Sequence, residues 1–144
     1  MNTSAQKAQQ RPPLARIARA TLLAAAGGVI GNTLLWLMTS PLGRLQVGLV
    51  EVVVFSLLGG LAGGVLYALL SRLLPSPNRA FVALCIAVLI LYAFGPIWAA
   101  QTPYREGAEP FNLLTVLVTE VMHLISGGFV IGVLTRLTGE RNGS

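Results

Sequence analysis

Charge is what this chain of 144 residues has least of: there is no aspartate, five glutamates, one histidine and one cysteine, and charged residues make up only 10%. An ordinary soluble domain carries roughly 25% charged residues, so a conventional water-facing surface is excluded. The lone Cys85 permits no internal disulfide and leaves the redox compartment unspecified. A single histidine is too few for the paired Glu-x-x-His sites of di-metal bundles, so no metal or other cofactor is expected. No nucleophile elbow, zinc-protease signature or phosphate-binding loop occurs, and the chain is not expected to be an enzyme.

What is present is apolar length. Hydrophobic residues make up 54% of the chain, and the mean hydropathy is +0.73. Four runs, at about 17–38, 47–70, 80–101 and 111–135, reach the ~20 residues that a spanning helix needs. The expected fold is all-α: an up-and-down bundle of four transmembrane helices over residues 17–137. Polar tails at 1–16 and 138–144 flank it, leaving no room for a separate soluble domain. The basic segment before the first run resembles a signal peptide, but that run continues to Met38, beyond the usual 7–15 apolar residues of such peptides. A retained first span is the better reading.

The net charge of +5 has a one-sided distribution. Lys7, Arg11, Arg16, Arg19, Arg72, Arg79, Arg136 and Arg141 fall on one side of the spans, and only Arg44 and Arg105 on the other. This asymmetry predicts a bacterial inner-membrane protein with cytoplasmic N- and C-termini. It argues against nucleic acid and makes the lipid bilayer the first partner.

Glycine is concentrated in three of the four runs. Gly27 and Gly31 form a GxxxG pair in the first, and Gly59, Gly60, Gly63 and Gly64 form two overlapping pairs in the second. Gly128 and Gly132 form another in the fourth. Such ridges let helices approach closely, within one chain or in a homo-oligomer. The third run has one glycine, before Pro96, and much of it can face lipid. Its Gly95-Pro96 step is expected to kink or end the helix. Ser76 or Asn78 is expected to cap its start, beside a proline. Trp36 and Trp98 mark the outer interface, and Tyr67 and Arg72 the inner one.

Against this background four polar residues stand out. Asn32 lies late in the first span, where its amide needs a partner. Glu51 sits in the first turn or two of the second and can reach water. Glu120 and His123, at i and i+3, share one face of the fourth helix near its middle. Ionisable groups at that depth are costly and usually face other helices, water or a partner. Four readings compete for this pair: packing through mutual or Asn32 hydrogen bonds, proton or cation transfer, a metal site, and acid–base catalysis. A face that meets another membrane protein is a further possibility.

With these residues in view, the chain resembles a family of small bacterial four-span membrane proteins classified only as a domain of unknown function. The resemblance rests on Asn32, the glycine-rich second span ending Leu66-Tyr67-Ala68-Leu69-Leu70, Gly95-Pro96, and Met122-His123-Leu124. It covers residues 17–137 and implies a four-helix integral membrane protein without a known activity. Glu51 and Glu120 do not fall on its pattern. Small multidrug exporters also have four spans, but their essential glutamate lies in the first, where this chain has Asn32. The expected role is a non-enzymatic structural or partner-binding protein of the cell envelope. The alternative is a proton- or cation-coupled transporter or channel subunit using Glu120 and His123.

Overall fold

A computed structural model describes residues 11–102, 107 and 109–138. It contains four long helices, α1 Leu14–Thr39, α2 Leu49–Leu73, α3 Pro77–Ala99 and α4 Leu113–Thr138, and no strand among the described residues. Each helix is long and apolar enough to cross a membrane. Helices are what such sequences must form, because a lipid-exposed backbone has to satisfy its own hydrogen bonds. The chain is an all-α integral membrane bundle.

The ends of the helices follow local chemistry. After α1, Ser40-Pro41-Leu42 forms a short 3-10 turn. Gly48 precedes α2, and its N–H donates to the Glu51 carboxylate at 2.8 Å. Glu51 is therefore a first-turn capping acid at the bundle's end. Pro77 opens α3 at a position where its missing N–H costs nothing. Ser76 makes no side-chain cap, and Asn78 accepts a hydrogen bond from the Tyr67 hydroxyl at 2.6 Å instead, so neither residue caps α3 as expected. Asn112 caps α4, its Oδ1 accepting from the Thr115 N–H at 2.8 Å. Pro96 does not end α3 at once; the helix runs three residues further, to Ala99.

The spans differ from expectation by a few residues at their ends. The tail expected at 1–16 yields Leu14–Arg16 to α1, and α4 extends to Thr138. Residues 1–10 and 139–144 of the tails, with Lys7 and Arg141, lie outside the described residues, as do Arg105 and Glu106 of the loop before α4.

Consecutive helices pack side by side and α4 returns to α1, giving the order α1–α2–α3–α4 around the bundle. The most extensive packing joins α1 to α4 and to α2. Only Phe81, Pro96 and Ala99 of α3 are buried, so most of its surface faces lipid. Two apolar clusters fill the interior. One, at the terminal end, joins Ile17, Ala20, Ala24, Tyr67, Phe81, Val130 and Leu134. The other, at the loop end, joins Val52, Val118 and Met122, with Trp36 and Leu45 against them. Tyr67 is not an interfacial side chain. It is 1% exposed and meets Phe81 edge to face at 5.1 Å. Arg72 does reach the end of the bundle, donating to the Pro12 carbonyl at 3.3 Å.

Glycine contacts are selective. A Cβ on Gly60 would lie 2.5 Å from the Ala25 Cα, so here α1 and α2 meet backbone to backbone. Gly64 receives the Thr21 side chain, and Gly63 receives Val130. Gly27 accommodates Phe129, and Gly31 accommodates Ile125. Gly59, Gly128 and Gly132 have nothing within 4 Å of such an atom, so the expectation that they pack helices does not hold inside this chain.

At the loop end, the α1–α2 connection is tied to the start of α4. The Gln46 side chain donates to the Pro110 carbonyl at 2.7 Å and accepts from the Asn112 N–H at 2.6 Å. The Gln46 N–H donates to Thr115 Oγ1 at 3.1 Å, and Asn112 Nδ2 donates to the Arg44 carbonyl at 2.8 Å. Trp36 Nε1 donates to the Val47 carbonyl at 2.9 Å, and Trp98 stands 70% exposed on α3.

Candidate functional site

The four polar residues singled out by sequence do not converge. They occupy three separate places.

Asn32 is 3% exposed and lies between the two apolar clusters. Its Nδ2 donates to Ser56 Oγ on α2 and to Ser126 Oγ on α4, both at 2.8 Å. Ser56 in turn donates to the Val52 carbonyl at 2.6 Å. One amide thereby ties three helices together in a medium where water cannot substitute. The Asn32 Oδ1 is buried and has no hydrogen-bond partner, as is Thr33 Oγ1 beside it in sequence. Ser56 and Ser126 were not recognisable as its partners, because a serine inside an apolar run reads as a small packing residue.

Glu51 caps α2 and takes no part in this layer. It sits next to Val52 and one turn before Phe55, at the loop end of the bundle.

Glu120 and His123 face α3. The His123 ring meets Tyr92 edge to face, with centroids 5.6 Å apart. One turn further along α4, a Cβ on Gly127 would lie 2.7 Å from Leu89 Cδ1, which fixes an antiparallel register between the two helices. That register sets Glu120 level with Gly95 and Pro96. No hydrogen bond joins Glu120 to His123, so they are not the bonded pair that a pure packing role requires. Glu120 Oε1 and His123 Nδ1 are both buried atoms without a hydrogen-bond partner. The other reachable hydroxyl on this stretch, Thr119, donates to the Thr115 carbonyl at 2.7 Å.

Chemically, then, the α3–α4 seam offers a carboxylate and an imidazole that can exchange a proton or receive a donor. Among the described residues, no three of histidine, cysteine, aspartate and glutamate come together as metal ligands. The Asn32 layer offers one uncommitted carbonyl oxygen enclosed by helices.

Comparison with curated proteins and with solved structures finds no match. A family model described as a family of unknown function, DUF6069, matches residues 12–140. Its extent takes in all four spans, the Asn32 layer and the α3–α4 seam alike, and the chain belongs to that family.

Proposed function

We propose that this chain is a small non-enzymatic component of the bacterial inner membrane, with both termini in the cytoplasm, that serves a structural or partner-binding role in the cell envelope. The observation that carries this reading is the separation of the polar groups. Asn32 donates to Ser56 and Ser126, and Glu51 accepts from Gly48, and among the described residues no hydrogen bond links either of them to Glu120 or His123. The distribution of arginine supports the orientation.

One observation favours a second reading, a proton- or cation-coupled transporter or channel subunit. Glu120 and His123 are unbonded at a depth where unpaired ionisable groups are expensive. Purified chain in proteoliposomes separates the two readings under imposed pH and monovalent-cation gradients. The partner-binding reading expects flux no greater than in empty vesicles, together with recovery of a defined membrane protein at fixed stoichiometry by tagged chain. A flux that Glu120→Gln abolishes while the helical signal persists would move the assignment to transport.

A further inference from the structure

The α1–α4 seam carries charge at its terminal end and its smallest residues just inside. Gly27 of α1 receives Phe129 of α4, and Gly31 receives Ile125, which fixes both the antiparallel register and the faces in contact. Followed toward the terminal end at helical spacing, the α1 face runs from Gly27 through Leu23 and Ala20 to Arg16. The α4 face runs from Phe129 through Gly132 to Arg136. Arg16 lies eleven residues before Gly27, and Arg136 seven after Phe129. The two arginines therefore flank one seam, offset by about 6 Å along its axis at 1.5 Å per residue.

Both arginines are exposed, and neither side chain bonds another described residue. Arg72 holds the Pro12 carbonyl at the end of α2, so the chain entering α1 is tied on the side away from α4. The first turn of α1 has no acidic residue and no side-chain cap, and its free N–H groups add positive potential at the same mouth. No described glutamate offsets it: Glu51 and Glu109 belong to the loop end, Glu120 faces α3, and Glu140 lies outside the described residues. Just inside the mouth the lipid edge of α4 is hollow. Gly128 is exposed and Gly132 half-buried, and a Cβ on either would meet nothing within 4 Å. Leu23, 52% exposed, and Phe129, 40% exposed, stand on the two sides of this stretch.

We propose that the terminal end of the α1–α4 seam is a binding site for one anionic phospholipid, its phosphate held between Arg16 and Arg136 and an acyl chain lying along Gly132 and Gly128. Charge complementarity selects the headgroup, since guanidinium forks match phosphate oxygens. The missing side chains select a lipid over a soluble anion, because an acyl chain gains dispersion contacts in a hollow that faces hydrocarbon. The site goes beyond the role proposed above and does not depend on it.

The test delipidates the full chain in a non-ionic detergent and titrates it with phosphatidylglycerol or phosphatidylcholine of identical acyl chains, counting retained lipids by native mass spectrometry. One phosphatidylglycerol is expected to bind roughly ten- to thirtyfold more tightly than phosphatidylcholine, the effect of two basic residues at a phosphate headgroup. Arg16→Gln and Arg136→Gln should each lower that preference several-fold. Arg79→Gln removes the same charge at the same end of the bundle, but on α3, and should leave it intact. Gly132→Leu fills the hollow without changing charge and should weaken phosphatidylglycerol binding; Gly128→Leu replaces it if Gly132→Leu lowers the helical signal. Equal losses in Arg16→Gln and Arg79→Gln would reduce the preference to the general field of the basic end and overturn the proposal. Binding unaltered by either leucine overturns it as well. So does displacement of the lipid by glycerol phosphate at the lipid's own concentration, which would assign the arginines to a soluble phosphate.

Discussion

At the scale of single residues, Asn32 shows how few polar contacts an intramembrane bundle needs. Its two hydrogen bonds reach residues 24 and 94 positions away in the chain, so one side chain fixes the mutual rotation of three helices. Interhelical hydrogen bonds in lipid contribute about 0.6 kcal/mol on average and up to about 1.7 kcal/mol. Asn32→Ala is therefore expected to lower stability by about 1–2 kcal/mol, with the loss partly offset because truncation also removes the unbonded Oδ1. Ser56→Ala and Ser126→Ala should each cost less, since the amide keeps its other partner, and the double substitution should approach the cost of Asn32→Ala. Thermal unfolding in detergent micelles checks the series; an unchanged melting temperature in Asn32→Ala would show that the layer does not hold the helices. That Asn32 needed a partner was legible in the sequence, because leaving an amide wholly unbonded in hydrocarbon is costly. Which residues supplied it was not, since two serines within apolar runs carry no signal of direction.

At the scale of helices, the informative contrast lies between adjacent glycines of α2. Gly60 faces the backbone of Ala25, whereas Gly59 faces open space. Gly60→Ala must push α1 and α2 apart, and overpacking of this kind typically costs about 1–3 kcal/mol. Gly59→Ala gains helix propensity without a clash, and should be neutral or stabilising by up to about 1 kcal/mol. Unfolding of the two variants side by side reads the difference directly; equal losses would mean that α1 and α2 do not approach at this point. The run of four glycines was visible from the sequence, but their division into working and idle positions was not. A helix apolar on every side gives no periodic signal for which face meets a neighbour and which meets lipid. The same uniformity explains why Glu120 and His123 could be placed on one face of α4 while the identity of that face, α3 rather than Asn32, needed the structure. The starts of α3 and α4, each missed by two or three residues, reflect Pro77 at the first helical position and the Asn112 cap, whose reach depends on local geometry.

At the scale of the whole molecule, the arrangement of charge makes a prediction about orientation. Arg16, Arg19, Arg72, Arg79 and Arg136 all belong to the end of the bundle where Arg72 meets Pro12, and that end should face the cytoplasm. In a Cys85→Ala background, Ser40→Cys should react with a membrane-impermeant maleimide added to intact spheroplasts, and Ser76→Cys only after permeabilisation. The reverse pattern would invert the topology. The number of spans was plain from length and hydropathy alone, because the bilayer dictates both. The opposite end of the bundle, where Gln46 grips Pro110 and Asn112, also bears on how the protein is made. Every bond of that grip uses residues 110–115, which leave the ribosome after the first three spans. Until they arrive, Gln46 has no acceptor or donor from α4, and Asn32 lacks Ser126. The loop-end latch therefore closes last in synthesis: a chain stopped after α3 lacks every one of these bonds, and its first three helices are held at that end by contacts among themselves alone.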